Sequence, residues 1–288
     1  MNTKISVRSL LISFLFCFMF SSVYPDVAKK SSNETVYDKR LVHLFELIYG
    51  YGFLSLGGTD AIDRMMAGVD LTGKRLLDIG SGLGGVEFYL AKNNSLDIMG
   101  LDLEPWLVKE AQRRYEEIKD QLQGSVEFVI EHAGDYLQQF ENESFDIVFS
   151  KAVLLHIPLQ DKVTYFKQIH RVLKKGGCII ILDWMHTSPH YSDTVQEMFD
   201  KSSISYNLVT PPEYFTNLQA AGFSSITFVD NSSQRIILLK ESHKKIVEMK
   251  EEIKQHFGNT TYERFIDGSE IYAFENKELV TGTFRAKK

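Results

Sequence analysis

The sequence has few residues of the kinds that cross-link a chain or give it a basic surface. Only two cysteines occur in 288 residues, one in an apolar N-terminal segment and one in a predicted strand. That number excludes a disulfide framework and a cysteine-based zinc site, and the scattered histidines indicate no metal site. The formal net charge of −6 argues against nucleic acid as the main partner, because phosphate binding needs a basic face.

The composition is otherwise that of an ordinary globular protein. Hydrophobic residues make up 44% and charged residues 24% of the chain, which is enough apolar material to build a core. The sequence has no internal repeat and no low-complexity segment. We predict a single domain over residues 34–288, preceded by an apolar leader and linker over residues 1–33.

The leader has the layout of a signal peptide. Two basic residues precede an apolar run between Leu10 and Phe20, which is shorter than a comfortable membrane span. Tyr24 and Pro25 stand where a cleavage site needs small residues. Three interpretations stay open: an exported protein, an uncleaved membrane anchor, or a start codon placed too early, with Met19 as the true start.

Strands and helices alternate along the rest of the chain. Predicted strands cover residues 76–79, 96–103, 125–130, 145–150 and 178–184, and predicted helices cover 36–48, 61–66, 105–121, 162–173 and a segment before Gly222. Glycines 176 and 177 are expected to end the fourth of these helices. The alternation predicts an α/β fold with a doubly wound parallel sheet.

The C-terminal end of the predicted sheet departs from this pattern. The segments SSITFVD (224–230) and QRIILLK (234–240) are separated by only three residues. A connection that short predicts an antiparallel hairpin added to the five parallel strands. The following segment, 241–257, alternates lysine and glutamate and predicts a solvated helix.

The segment RLLDIGSGLGGVEFYL, residues 75–90, predicts a strand, a glycine-rich turn and a helix. Gly80-x-Gly82-x-x-Gly85 matches the dinucleotide pattern, in which backbone N–H groups approach a pyrophosphate at a helix N-terminus. On this pattern alone, a purely structural turn and an NAD(P)-dependent oxidoreductase both remain open.

Three aspartates fall at the predicted strand ends, where open α/β sheets bind ligands. Asp102 is placed to accept hydrogen bonds from both ribose hydroxyls. Asp135 is placed to hold an exocyclic amine, with Tyr136 beside an adenine. Asp78 would repel a pyrophosphate but would bind an ammonium directly or through water. The set predicts a nucleoside that carries an amino acid.

These motifs resemble two nested families. Asp-x-Gly-x-Gly, Asp102, Gly134-Asp135 and FDIVFSKAVLLHI together resemble the class I S-adenosylmethionine-dependent methyltransferases. Tyr37, ELIYGYGFLSLGG and GSGLGG together resemble the phosphoethanolamine N-methyltransferases of protozoa, nematodes and plants. The resemblance implies S-adenosylmethionine as cofactor and a Rossmann-like methyltransferase sheet with an N-terminal helical lid.

The resemblance also implies roles for individual residues. Tyr37 and His156 would form a catalytic pair over the substrate amine, and Trp184 and Tyr206 would line the substrate site. Ser55 would contact the amino-acid end of the cofactor. The implied cofactor-binding residues are Tyr37, Ser55, Asp78, Gly80, Ser81, Gly82, Asp102, Leu103, Trp106, Asp135, Tyr136 and Lys151, and no metal ligand is implied. Taken singly, His156, Tyr37 and Trp184 also fit a core histidine, a helix-surface tyrosine and a core tryptophan.

Two departures from the family keep other functions open. Ala152 stands where the family has an aspartate, and Ile204 stands where the family has a phosphate-binding arginine. Glycine, sarcosine or another small amine is therefore an alternative substrate, and a non-catalytic S-adenosylmethionine-binding protein is a further alternative. We expect a cytoplasmic monomer that acts on a small-molecule amine, with membrane contact only if the leader remains as an anchor.

Overall fold

The computed structural model describes residues 39–132, 134–188, 190, 192–193, 196, 206–260, 262–263, 266 and 278–288. The leader, Tyr37 and Ile204 lie outside the described residues. In the described part of the chain, no helix has the length and apolar character needed to cross a membrane.

Seven strands form one mixed sheet. They are β1 (Arg75–Ile79), β2 (Asp97–Asp102), β3 (Ser125–Ile130), β4 (Phe145–Lys151), β5 (Leu173–His186), β6 (Ser224–Asp230) and β7 (Leu279–Lys287). Their order across the sheet is β3-β2-β1-β4-β5-β7-β6. The first five strands pair in parallel, and β7 runs antiparallel to both β5 and β6. The predicted doubly wound sheet with antiparallel pairing at its C-terminal end is confirmed.

Helices separate most of the strands along the chain. They are α1 (Lys39–Tyr49), α2 (Gly58–Met66), α3 (Gly85–Asn93), α4 (Pro105–Ile118), α5 (Lys162–Val172), α6 (Pro211–Ala220), α7 (Ser232–Glu248) and α8 (Lys250–Phe257). Local sequence explains several of their starts. Pro105 occupies the first turn of α4, where its missing N–H costs nothing. Thr210 and Glu213 form a reciprocal capping box that begins α6.

The prediction that QRIILLK forms the second strand of a hairpin is wrong, because this segment lies within α7. The buried residues of α7 recur at the spacing of one helix face; they are Arg235, Leu239, Ser242 and Ile246. A short apolar run does not by itself distinguish a strand from a buried helix. The strand that pairs with β6 is β7, which comes from the C-terminal end of the chain. The predicted charged helix over 241–257 corresponds to the end of α7 and to α8.

The end of α5 also differs from the prediction. The helix stops at Val172 and β5 begins at once with Leu173, so the glycines at 176 and 177 lie inside a strand. The pairing of β5 with β4 shifts register between Phe145–Leu173 and Ile147–Cys178. A Cβ atom at Gly177 would lie 2.8 Å from the carbonyl oxygen of Asp146. The glycine is therefore needed for the close approach of the two strands, not for ending the helix.

The core consists of two layers, one on each face of the sheet. Alternate residues of β1 point to opposite faces: Leu77 packs with residues of α5 and α6, and Leu76 packs with residues of α2, α3 and α4. A third cluster joins Leu44 and Ile48 of α1 to apolar residues of α7 and α8. This cluster also contains Leu155, next to the carboxyl ends of the parallel strands. The helical segment before the sheet is thus packed beside the ligand-binding edge, as the lid prediction requires.

Candidate active site

A cleft of about 450 Å³ opens at the carboxyl ends of β1, β2 and β4. Its walls are formed by residues 52–55 before α2, by the glycine turn after β1, and by the ends of β2 and β4. The short helical turn Leu154–His156 forms a further wall. Open α/β sheets bind their ligands at this edge, so the cleft is the candidate site.

The glycine turn is held against the end of β2 by backbone hydrogen bonds. The amides of Gly80 and Ser81 both donate to the carbonyl oxygen of Leu101, at 2.7 and 3.0 Å. A Cβ atom at Gly80 would lie 2.2 Å from a methyl group of Val153, and one at Gly85 would lie 2.6 Å from the carbonyl oxygen of Gly52. Glycine at these two positions lets the backbone of the turn pack directly against both neighbouring segments.

Asp102 links the end of β2 to the glycine turn. One carboxylate oxygen accepts from the amide of Gly82 at 2.8 Å, and the other accepts from the amide of Glu104 at 2.9 Å. Burial raises the pKa of Asp102, and the backbone donors oppose that rise. Each oxygen keeps a second acceptor position, and the residue lines the cleft. This arrangement fits the predicted binding of two ribose hydroxyls.

Asp78 lies inside β1 with 2% of its surface exposed, and it lines the cleft. Burial raises its pKa to about 7, while a hydrogen bond from Glu87 and the charge of Lys151 oppose the rise. Among the residues that the structure describes, no donor reaches its Oδ2 atom. A buried carboxylate oxygen without a donor is costly, and the ammonium of an amino-acid ligand would supply one. The cleft therefore fits a nucleoside with an amino-acid end.

Lys151 and Ser55 connect the end of β4 to the segment before α2. The Lys151 ammonium donates to the Ser55 hydroxyl at 2.6 Å and lies 3.4 Å from the Ser55 carbonyl oxygen. Burial lowers the pKa of Lys151 to about 8, although the Asp78 carboxylate opposes this change. Both residues line the cleft, and the family resemblance implies that Ser55 contacts the amino-acid end of the cofactor.

The structure places the predicted adenine-binding residues differently from one another. Tyr136 lines the cleft, and its hydroxyl donates to Asp161 at 3.0 Å. Asp135 is exposed and is not among the residues that line the cleft. Glu131 does line it and is buried, with its carboxylate accepting from the amide of Leu137 at 3.0 Å. The sequence analysis missed Glu131, although it directly follows a predicted strand.

The remaining predicted cofactor residues also include some that line the cleft and one that does not. Gly80, Ser81, Gly82 and Leu103 line the cleft. Trp106 does not; it is half-buried against a small cluster of apolar side chains that contains Leu107. Leu107 lines the cleft in its place.

His156 lines the cleft, whereas Tyr206 contacts His156 but is not among the cleft-lining residues. His156 lines the cleft from its short helical turn, and its ring centroid lies 5.6 Å from that of Tyr206. Asn207 donates to the His156 carbonyl oxygen at 3.1 Å and so fixes the two segments together. Tyr37, the predicted catalytic partner of His156, lies outside the described residues.

Trp184 lines a smaller cavity of about 50 Å³ rather than the main cleft. Ser55, Lys151 and Ala152 line both spaces and form the wall between them. The guanidinium of Arg235 lies 5.2 Å from the centroid of the Trp184 ring. The structure thus brings Trp184 close to the site but separates it from the cleft by one layer of side chains.

Two buried charged residues, Lys162 and Asp183, support the turn that carries His156. The Lys162 ammonium donates to the carbonyl oxygen of Leu154 at 2.7 Å. Asp183 attracts Lys162 and also accepts from the backbone of Leu155. Burial raises the pKa of Asp183 to about 7 and lowers that of Lys162 to about 8. The sequence analysis missed both residues; an aspartate within the apolar run CIIILDW was the available signal.

Comparison with known proteins agrees with this architecture. A family model described as a methyltransferase domain matches residues 77–181. Phosphoethanolamine N-methyltransferase 3 of Arabidopsis thaliana is 30% identical over 251 residues, which cover 85% of this chain and 48% of that protein. Phosphoethanolamine N-methyltransferase of Plasmodium falciparum is 28% identical over 251 residues, covering 86% of this chain and 91% of that protein. The chain spans about half the length of the plant relative.

A solved structure extends the similarity to three dimensions. Haemonchus contortus phosphoethanolamine N-methyltransferase 2, in complex with phosphomonomethylethanolamine and S-adenosylhomocysteine, superposes with a TM-score of 0.78 at 26% identity. The match covers 89% of this chain and 59% of that chain. The same enzyme is also known with S-adenosylmethionine bound. The matched domain, the relatives and the fold identify a methyltransferase domain of the S-adenosylmethionine-dependent type in this chain, with S-adenosylmethionine as its cofactor.

Proposed function

We propose that this chain methylates the nitrogen of a small amine, with phosphoethanolamine or its partly methylated forms as the first candidates. The observation that carries the proposal is the position of His156. His156 lines the same cleft as Asp78 and Asp102, and it comes from the short helical turn that follows β4. The phosphoethanolamine N-methyltransferases among the relatives support the choice of substrate.

The hydrogen-bonding groups that line the cleft indicate which end of it would bind the cofactor. The two oxygens of Asp102 would accept from the ribose hydroxyls, and Asp78 would accept from the ammonium of the amino-acid end. Ser55 and Lys151 would hold that end from the other side, because their paired side chains line the same wall. The cofactor, when bound, supplies a methyl group on a positively charged sulfur.

The work left to the protein is positioning and proton removal. An amine is mostly protonated at neutral pH, so its nitrogen lone pair must be freed before it can attack. His156 is the base that we assign to this step: its imidazole nitrogen takes the ammonium proton. The residues that line the cleft would position the amine for methyl transfer and limit the access of water. Tyr37 stays the predicted partner of His156.

Aromatic side chains suit the changing charge of the substrate. Each methylation moves a primary amine toward a permanent cation, and aromatic faces attract cations. Tyr206 stands beside His156 and is the aromatic group that we assign to this end. Trp184 would take part if the wall formed by Ala152 and Lys151 opens toward the smaller cavity.

One observation favours a second candidate substrate, an amine without phosphate. Ala152 lines the cleft where the resemblance implies an aspartate, so the polar contact that the family makes there is absent from this chain. Glycine or sarcosine is the corresponding alternative. A chain that binds the cofactor but transfers no methyl group to any amine would fit the non-catalytic alternative.

The test is a methyl-transfer screen over phosphoethanolamine, its monomethyl and dimethyl forms, ethanolamine, glycine and sarcosine. S-Adenosylhomocysteine production is the measured quantity. We expect turnover with the phosphorylated series, and we expect His156→Ala to lower it by roughly 10²–10⁴-fold, the usual contribution of a general base. His170→Ala is the matched control, because His170 lies on α5, packs against Phe223 and does not line the cleft.

Two results would overturn the proposal. Turnover with none of the amines would favour a non-catalytic protein. Near-normal turnover in His156→Ala would remove the assigned base, whichever amine is the substrate.

A further inference from the structure

Glu87 is a buried carboxyl group that neither the sequence motifs nor the proposed reaction assigns. It lies in the first turn of α3, directly after the glycine turn, and none of its surface is exposed. Among the described residues, no donor of another residue reaches either of its oxygens. A buried acid is expected to have a hydrogen-bond partner or a counter-charge, so its environment needs an explanation.

Four ionisable side chains from four elements face one another here. Glu87 of α3 lies against Gly100 of β2, the residue that pairs with Asp78 of β1. The Glu87 and Asp78 carboxyl groups each change the pKa of the other, Asp102 of β2 adds a negative charge, and Lys151 of β4 adds a positive one. The strand β2 leaves room for the glutamate: a Cβ atom at Gly100 would lie 2.6 Å from Glu87 Oε1. The cluster is therefore closely packed, with three acids and one base.

Two carboxyl groups form a hydrogen bond only if one of them holds a proton. Burial is the largest influence on Glu87 and raises its pKa well above the ordinary value, and the nearby Asp78 charge raises it further. For Asp78, the same hydrogen bond works in the opposite direction and lowers the pKa. At neutral pH the shared proton therefore resides on Glu87, which leaves Asp78 as the acceptor.

We propose that Glu87 is a positioning residue which, as a neutral acid, donates a hydrogen bond to Asp78 and so keeps the Asp78 carboxylate ionised toward the ammonium of the bound cofactor. This inference rests on the cofactor and not on the identity of the amine substrate. It also accounts for the missing donors around Glu87, because a neutral carboxylic acid costs far less to bury than a carboxylate.

The proposal predicts a particular pH dependence of cofactor binding. Below about pH 7, Asp78 takes up a proton and the ligand ammonium loses its partner, so affinity falls as the pH is lowered. Removing the hydrogen bond from Glu87 makes Asp78 a weaker acid and moves this loss of affinity to higher pH. Replacing Glu87 by another neutral donor leaves it in place.

The experiment is calorimetric titration with S-adenosylhomocysteine between about pH 5.5 and 8.5, on the full chain and on two variants. Glu87→Gln keeps a neutral donor, and we expect parent affinity within about twofold with an unchanged pH profile. Glu87→Met keeps the size but removes the donor. We expect about tenfold weaker binding at pH 7 and a profile displaced upward by about one pH unit, since one pKa unit corresponds to tenfold in affinity. Glu127→Gln, an exposed glutamate of β3, is the matched control.

The two variants make the test decisive. If Glu87 is ionised in the parent, Glu87→Gln removes a negative charge and weakens binding of the cationic ligand, which overturns the proposal. Parent-like affinity and pH profile in Glu87→Met also overturns it. Thermal unfolding without ligand shows that each variant is folded. If Glu87→Met does not fold, the Glu87→Gln result alone decides between a neutral and an ionised Glu87. Because no amine is present, the outcome is independent of the proposed methyl transfer.

Discussion

Asp78 in β1 and Asp183 in β5 are both buried acids, and burial raises the pKa of each to about 7. Their partners differ. Asp183 accepts from the amide of Trp184 at 3.0 Å and from the hydroxyl of Tyr214 at 3.2 Å, and Lys162 provides a positive charge. Asp78 has an acid as its neighbour, and no donor within the described residues reaches its Oδ2 atom.

The two aspartates therefore have different roles in spite of similar burial. A buried polar group whose partners all come from the protein belongs to the scaffold. Asp183 meets this description, because it and Lys162 hold the turn that carries His156. A buried polar atom that the protein leaves without a donor is a candidate for ligand binding. Within the described residues, the Oδ2 atom of Asp78 meets that description, and Asp78 lies in the wall of the cleft.

The largest expected effect is a loss of stability when Lys162, the lysine that acts on Asp183, is replaced. Lys162→Met removes the ammonium that donates to the Leu154 carbonyl oxygen, and with it the positive charge that acts on Asp183. A buried hydrogen bond that involves a charged group is typically worth about 1.5–3 kcal/mol of unfolding free energy. Urea unfolding at pH 7 measures it. Lys167→Met, an exposed lysine on the same helix, serves as control and should stay within about 0.5 kcal/mol of the parent. Equal stability of both variants would mean that the pair does not support the fold.

A smaller effect should appear in the pH dependence of stability. The pKa values of Asp78 and Asp183 rise from 3.8 to about 7 on folding. Between about pH 4 and pH 7 the folded state therefore holds protons that the unfolded state has lost. Each aspartate lowers the unfolding free energy as pH rises through this window, by at most about 1.4 kcal/mol per pH unit. Above about pH 7 this contribution levels off.

Ligand binding should separate the two contributions. Saturating S-adenosylhomocysteine places an ammonium beside Asp78 and lowers its pKa, so the Asp78 part of the slope should disappear. The Asp183 part should persist, because its partners do not change. Unfolding curves at several pH values, with and without S-adenosylhomocysteine, measure both parts. A slope that the ligand leaves unchanged would argue against contact between Asp78 and the ligand.

The sequence analysis predicted the features formed by residues that are close together in the chain. It missed those that depend on which side chains the fold buries. The five parallel strands were predictable because each is an apolar run followed by a turn, and Asp78, Gly82 and Asp102 were predictable because they belong to one strand–turn–helix–strand motif. The prediction of a strand at QRIILLK was wrong because a short apolar run fits either a strand or a buried helix. Its place in the sheet is taken by β7, whose sequence TGTFRAK carries little apolar signal.

Charged residues that the fold buries were not recognised in advance. Lys162, Glu87 and Glu131 begin helices or follow strands, where a charged residue usually faces water. Glu87 is buried because α3 packs against the sheet, and Lys162 is buried because α5 does so. Asp135 shows the converse: its position after β3 suited a ligand contact, but the structure leaves it exposed.

The most direct test of the account is the affinity for S-adenosylhomocysteine of two matched variants, Asp78→Asn and Asp183→Asn, at pH 8. Asp78→Asn removes the charge that faces the ligand ammonium, and a hydrogen bond to a charged group is worth about 1.5–3 kcal/mol. We therefore expect at least about tenfold weaker binding. Asp183→Asn alters only the scaffold, so its folded fraction should bind within about threefold of the parent. Parent-like binding by Asp78→Asn, or an equal loss in both variants, would contradict the assignment of Asp78 to the cofactor.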